Sequence, residues 1–264
     1  PPYVYRLATQ LTPWFAWAAV ACFGIGLYGA LVTAPPDYQQ GQAYRIIFVH
    51  VPAAWLSMAV YVVFAIAGAV GLIWHIKVGF IVARTSALIG AAYTFLALAT
   101  GSIWGKPMWG AWWVWDARLT SELVLLLLYL GYLALDSAID DRRTAGRAGA
   151  VLALVGLVNL PIIHYSVEWW NTLHQGATVA KLGTPSIHID MLVPLLIMGI
   201  AFKMHYLTVL MLGVRARAVI QGRLAPSIDD VLALVHPILR HRMALTFAAL
   251  AEGVTLGGII EVPT

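Results

Sequence analysis

Two kinds of side chain in this sequence are placed to do chemistry: histidines near the ends of apolar runs, and a cluster of tryptophans next to an acid and a base. Residues 104–120 read WGKPMWGAWWVWDARLT, with Trp104, Trp109, Trp112, Trp113 and Trp115 inside twelve positions and Asp116 and Arg118 at the close. Read as a short interfacial helix over 109–116, Trp109, Trp112, Trp113 and Asp116 fall at i, i+3, i+4 and i+7 and share one face. Such a face is a flat apolar wall that suits a large planar aromatic ligand, because indoles stack on π-systems and bury much area at low entropic cost. Asp116 and Arg118 at its edge can orient polar substituents of that ligand or bond to each other. The competing reading is an aromatic belt at the membrane–water interface, which is sufficient for Trp14, Trp55 and Trp74. Five of the eleven Trp residues in one segment exceed what anchoring a single helix end requires.

Among the eight histidines, His50 stands in YRIIFVHVPAAW, just before Pro52, and His174 stands in EWWNTLHQG beside Trp169 and Trp170. His188, in PSIHIDM, is an alternative to His174, while His164 and His205 lie in or near apolar runs, where packing or hydrogen bonding is the ordinary role. An imidazole close to lipid must pair or coordinate. Two of them on opposite sides of a Trp wall suit the two axial positions of a haem iron. Tetrahedral zinc fits less well, since neither HExxH nor CxxC is present. The sole cysteine, Cys22, lies within an apolar run, which leaves no disulfide framework, no redox pair and no CxxCH site for thioether attachment. GSIWGKPM at 101–108 differs from a phosphate loop, with three residues between its glycines and Pro107 after Lys106, so no nucleotide site is assigned.

The elements that must carry these residues are membrane helices. The chain is 61% hydrophobic and 11% charged, with a mean hydropathy of +0.82. Six apolar runs, near Trp14–Thr33, Ile46–Trp74, Phe80–Trp104, Glu122–Ala138, Ala148–Tyr165 and Ile187–Tyr206, approach the roughly 20 residues needed to cross a bilayer. Every backbone polar group in lipid must be paired internally, and period-2 barrel patterning is absent, so the predicted fold is an all-α polytopic bundle of six transmembrane helices with a Trp-rich loop over 104–120. The expected organisation is a membrane domain over 1–213 and a tail over 214–264 that is cytoplasmic or interfacial, with 243–260 as its apolar segment. Arg6, Lys77, Arg84, Arg142, Arg143, Arg147, Arg215, Arg217 and Arg223 fall on one side of these spans, and only Arg45, Lys106, Arg118 and Lys181 on the other. That bias puts both termini in the cytoplasm and the Trp-rich loop outside. It also explains the net charge of +4 as a topology signal; no basic patch with interleaved aromatics points to nucleic acid.

WGKPMWGAWWVWDARLTSELVLLLLYLGYLAL, preceded by YRIIFVHVPAAW and followed by NLPIIHYSVEWWNTLHQG, closely resembles the haem-handling protein C family of bacterial cytochrome c maturation, within the wider Trp-rich WWD group. The similarity runs from about Pro35 to Gly176. It implies a bacterial inner-membrane protein, not an enzyme, that binds haem b non-covalently and in transit. The haem-facing loop maps to Trp109, Trp112, Trp113, Trp115 and Asp116, and the axial iron ligands map to His50 and His174. The implied partners are a periplasmic haem chaperone, the maturation protein E, together with the A and B subunits of an ABC transporter and the small membrane protein D. In this reading haem rests against the Trp wall with its propionates near Arg45, Lys106 or Arg118, and exchange of an axial ligand lets the chaperone take it. Two other classes compete. A transporter or channel component calls for ionisable groups lining the bundle, and a quinone-binding membrane oxidoreductase subunit calls for a redox centre with its own ligands.

Overall fold

The computed structural model describes residues 2–222 apart from 175, 177, 180 and 182, and the packing discussed here lies within the compact unit Pro2–Ala216. Its helices are α1 (Pro2–Tyr28, widening into a π turn over Gly29–Thr33), α2 (Ile47–Trp74, entered through a 3-10 turn over Ala43–Ile46), α3 (Lys77–Trp109), α4 (Ala117–Ala138), α5 (Arg142–Gly156), α6 (Asn159–Trp169) and α7 (Ile189–Gly222). Among the described residues the only β pairing is an isolated bridge between Asp37 and Gly41. Among the described residues, six stretches are long and apolar enough to cross a membrane: Tyr3–Thr33, Ala43–Trp74, Lys77–Trp109, Ala117–Ala138, Arg142–Trp169 and Ile189–Arg217. The protein is thus a six-helix membrane bundle, as its hydropathy predicts. The tail segment 243–260 lies outside the described residues.

Three features depart from the sequence expectation. The first helix begins near Tyr3 rather than Trp14. The third continues past Trp104 to Trp109, because Pro107 falls in its last turn, where loss of one backbone hydrogen bond is tolerated at the solvent end. The fifth span is two helices in series. Pro161 cannot donate to the Leu157 carbonyl, so Leu157 and Val158 close tighter turns onto Leu154 O at 3.3 Å and Val155 O at 3.4 Å, and the chain restarts as α6. Asn159 secures this break by donating to Ser121 O on α4 at 2.9 Å.

α2 and α3 form the centre and contribute to both apolar cores. On one side Phe48, Val60, Ile89 and Tyr93 pack with Leu195, Met198 and Phe202 of α7 and with Ala30 of the α1 π turn. On the other, Tyr61, Phe64 and Ala87 pack with Leu125, Tyr129 and Tyr132 of α4, Ala153 of α5 and Ile163 of α6. Large apolar side chains such as Trp17, Phe95 and Leu127 are exposed on the outside of the bundle, the surface that lipid covers. At the end opposite the Trp-rich loop, Asp136 of α4 takes Arg84 Nε of α3 at 2.6 Å and faces Arg142 at 3.7 Å. The alternation of helix directions brings the start of α2, the end of α3, the start of α4, the end of α6 and the start of α7 to the face that carries the Trp-rich loop.

Candidate functional site: a cavity between two oriented imidazoles

The ends that meet at this face enclose a cavity of about 930 Å3, bordered by His50, Trp104, Trp109, Arg118, Glu122 and His174 among others. His50 lies in the first turn of α2. Its Nδ1 is 3.0 Å from Ala97 O and 3.1 Å from Thr100 Oγ1 on α3. A carbonyl only accepts, and the Thr100 hydroxyl already donates to Leu96 O at 2.6 Å, so Nδ1 carries the hydrogen and Nε2 keeps its lone pair. Trp104 meets the ring edge-on at 5.6 Å between centroids and is itself held by Nε1 donating to Gln40 Oε1 at 3.0 Å. Room for the imidazole comes from Gly101, where a Cβ would stand 3.0 Å from His50 Cε1.

His174 is positioned by different means. It sits on the segment between α6 and α7, and its Nδ1 lies 2.9 Å from Asp116 Oδ2. Asp116 Oδ1 in turn accepts from the Leu119 amide at 2.8 Å, the N-cap bond of α4. One carboxylate thus ties the imidazole to a helix end, and again the ring is left with Nε2 as its free donor atom. Trp109 packs edge-on against the ring at 4.8 Å. Burial pushes the His174 pKa below its ordinary value, outweighing the Asp116 hydrogen bond and charge that pull it up; Arg118 lowers it further. The ring is therefore neutral at neutral pH, the state that can bind a metal.

The expected helix over 109–116 does not form. Gly110, at φ 75°, ends α3 in the left-handed conformation that a residue without Cβ adopts freely, and 110–116 runs as irregular chain into α4. Lys106 Nζ donates to Gly110 O at 3.0 Å and Ser102 Oγ to Trp112 O at 2.7 Å, pinning that chain to α3. The indoles consequently do not share a face. Trp109 borders the cavity with Trp104 and Trp55, whereas Trp112 and Trp115 are 57% and 74% exposed and Trp113 is half-buried against Trp115 at 5.3 Å. Trp55 also departs from its reading as a belt residue.

Of the three cations considered for carboxylate substituents, two are committed elsewhere. Arg45 bonds to Gln42, to Ala30 O and, at 2.8 Å, to Ala34 O, closing the end of α1 onto α2. Lys106 is taken by the Gly110 carbonyl. Arg118 borders the cavity and, among the described residues, makes no ion pair within 4 Å. His188 is exposed, faces Asp190 at 3.5 Å and does not border the cavity. His205 is held by the Tyr93 hydroxyl at 2.7 Å, as its apolar surroundings predict. His164 is not packed: it is exposed and borders the cavity.

Sequence reasoning passed over Glu122. It is 8% exposed, borders the cavity, and accepts from Ser57 Oγ of α2 at 2.7 Å. Its spacing of four from Arg118 on one helix face was the available signal. Among the described residues no three or more His, Cys, Asp or Glu side chains gather as a metal cage. The site instead offers the oriented imidazoles of His50 and His174, aromatic walls and the cations Arg118 and Lys181, a set suited to a flat metal complex with anionic substituents.

A polytopic helical membrane protein with a ligand cavity between helix ends at one face is the class these observations define. The sequence profile of the Heme exporter protein C family matches residues 1–227, and the chain belongs to that family. It is 58% identical over 178 residues to Heme exporter protein C of Escherichia coli strain K12, covering 67% of this chain and 73% of that one. Against the protein of the same name from Haemophilus influenzae it is 53% identical over 207 residues, 78% of this chain and 84% of the relative. The Bradyrhizobium diazoefficiens protein of that name is 51% identical over 215 residues, 81% of each chain. A second, shorter profile, the AAA lid domain, matches residues 207–261, most of which lie beyond the described ones.

Proposed function

We propose that this protein holds haem b non-covalently at the periplasmic face of the bacterial inner membrane and hands it to a periplasmic haem chaperone, the maturation protein E, during c-type cytochrome assembly. The observation that carries this reading is that His50 and His174 border one cavity with both Nδ1 atoms bonded to oxygen, which leaves two Nε2 lone pairs for iron. Trp104 and Trp109 form apolar walls for the porphyrin, and Arg118 is a half-buried cation available to a propionate. Names of the relatives support the haem assignment, and the lysine and arginine bias supports cytoplasmic termini.

Transfer in this reading is ligand exchange and involves no covalent catalysis by this chain. The exposed Trp112 and Trp115, with the half-buried Trp113 between them, face the chaperone, which supplies a donor that displaces one imidazole. ATP hydrolysis resides in ABC transporter subunits A and B, and the small membrane protein D completes the assembly; the tail over 214–264 is cytoplasmic or interfacial. An absorption spectrum of the protein purified from haem-replete cells tests the proposal. A low-spin bis-imidazole band is expected, and a protein that stays colourless with added haem overturns it.

A further inference from the structure

Six of the residues that border the cavity are exposed, and they fall in two groups. On α2, α3, α4 and α7 every bordering residue is buried or half-buried; the exposed ones are Gly176, Lys181 and Ser186 of the segment before α7, and His164, Tyr165 and Glu168 of α6. The first three lie at the loop face. The second three belong to the apolar span Arg142–Trp169, on the side of the bundle.

His164 is five residues from the end of α6, about 8 Å below it at 1.5 Å per residue. That depth is within the outer half of a hydrocarbon layer about 30 Å thick. His50, three residues into α2, lies about 5 Å below its own helix end by the same rise. The neighbours Ile163 and Ser166 fix α6 by burying themselves in the bundle, which turns His164 outward; its ring meets Tyr165 edge-on at 4.7 Å. Tyr165, 41% exposed, stacks on Trp169 at 5.3 Å and 23°. Across the cavity, Trp55 of α2 borders it from the α7 side, where a Cβ on Gly199 would lie 3.5 Å from the indole. An imidazole exposed at lipid level, beside stacked aromatic rings, is costly unless it receives something.

We propose that the cavity opens sideways between these α6 residues, as a lateral portal through which a planar amphipathic metalloporphyrin enters from the outer leaflet, with His164 giving iron its first protein ligand. This inference rests on the haem reading above. A coordinate bond forms from His164 Nε2 to iron, and that bond breaks as His50 Nε2 donates its lone pair instead. Both donors are neutral two-electron ligands, so neither iron nor protein is oxidised or reduced and no proton is released.

The test compares two haem sources for the full chain in phospholipid nanodiscs: haem dissolved in phosphatidylcholine vesicles, and haem delivered in water on albumin. For His164→Leu, loading from vesicles is expected to slow roughly tenfold, with loading from albumin and the final bis-imidazole amplitude unchanged. The unchanged amplitude shows that the variant is folded, and His164→Gln, which keeps polarity but lacks an imidazole, is expected to behave alike. Equal rates for variant and wild type from vesicles, or equal slowing by both routes, overturns the portal; so does a lost amplitude, which would make His164 part of the resting site. Wild-type protein that loads from albumin but not from vesicles also overturns it while leaving the haem reading intact. A wild type that takes haem from neither source overturns both.

Discussion

Asp116 Oδ2 stands 2.9 Å from His174 Nδ1, across fifty-eight positions of sequence, while the other oxygen of the same carboxylate caps α4. A single residue therefore sets both where α4 begins and which way the imidazole points. Asp116→Asn should separate the two roles. Asparagine caps helices about as well as aspartate, so the melting temperature is expected to hold. It cannot provide a carboxylate for Nδ1–H, and loss of such an outer partner typically weakens metal binding by about 10–100-fold. Asp116→Ala should add a loss of about 1 kcal/mol from the missing cap. Haem titration and thermal unfolding of both variants check this; normal affinity in Asp116→Asn would return Asp116 to a purely structural role.

The His174 pKa gives a pH dependence with a definite sign. Burial holds it below the ordinary 6.5, so the folded chain binds fewer protons at this site than the unfolded one. Stability from this group is present above the unfolded value and is lost as pH falls through the folded pKa. Haem affinity should likewise stay level on descending to pH 6.5 and fall only below it, because Nε2 must be unprotonated to donate. The imidazole resonances of the apo-protein should titrate with a midpoint below 6.5, and Asp116→Asn should move it lower still, since Asp116 pulls the value up. A midpoint above 6.5 would mean that Asp116, not burial, dominates.

Gly101→Ala tests the fit of His50. Alanine in a helix is ordinarily favoured over glycine by about 1 kcal/mol, yet here the methyl would stand 3.0 Å from Cε1 of His50. Folding is expected to survive, with the imidazole displaced and the low-spin haem signal diminished. An unaltered spectrum would show that the ring has slack.

Trp112→Ala with Trp115→Ala should leave haem retention nearly intact, because both rings are exposed and outside the cavity lining. Transfer to the chaperone should slow severalfold. Trp104→Ala, by contrast, removes a cavity wall and the edge-on partner of His50 and should weaken retention. If the outer pair weakens retention and Trp104 does not, the indoles bind haem in the arrangement the sequence implied.

Much of the architecture was legible in the sequence because lipid imposes a simple rule on it: apolar runs of adequate length must be helices. The six spans and their order follow from this. Their ends were harder to read. Arg6, Thr9, Gln10 and Thr12 dilute the first run, although Thr9 and Thr12 hydroxyls return to the backbone at Tyr5 O and Ala8 O and extend the helix. The third run was bounded near Trp104, but α3 passes on through Gly105 and Pro107 because only its last turn is affected. Periodicity suggested a helix over 109–116 without weighing Gly110, whose left-handed turn scatters the indoles. The two imidazoles stood out by residue type and surroundings, yet their partners Ala97, Thr100 and Asp116 are tertiary neighbours that no local pattern connects. Glu122 was visible as an acid within a span, and its contact with Ser57, sixty-five positions away, was not.

The most direct test of the account is the optical and paramagnetic resonance spectrum of haem bound to His50→Ala, His174→Ala and the double variant. Each single variant is expected to lose the low-spin bis-imidazole signature for a five-coordinate or water-ligated one, with added imidazole partly restoring it, and the double variant is expected to lose most of its haem. His188→Ala, whose ring faces Asp190 and does not border the cavity, is expected to match wild type. A low-spin spectrum that persists in both single variants, or one that changes in His188→Ala and not in His174→Ala, would contradict the pairing of His50 with His174.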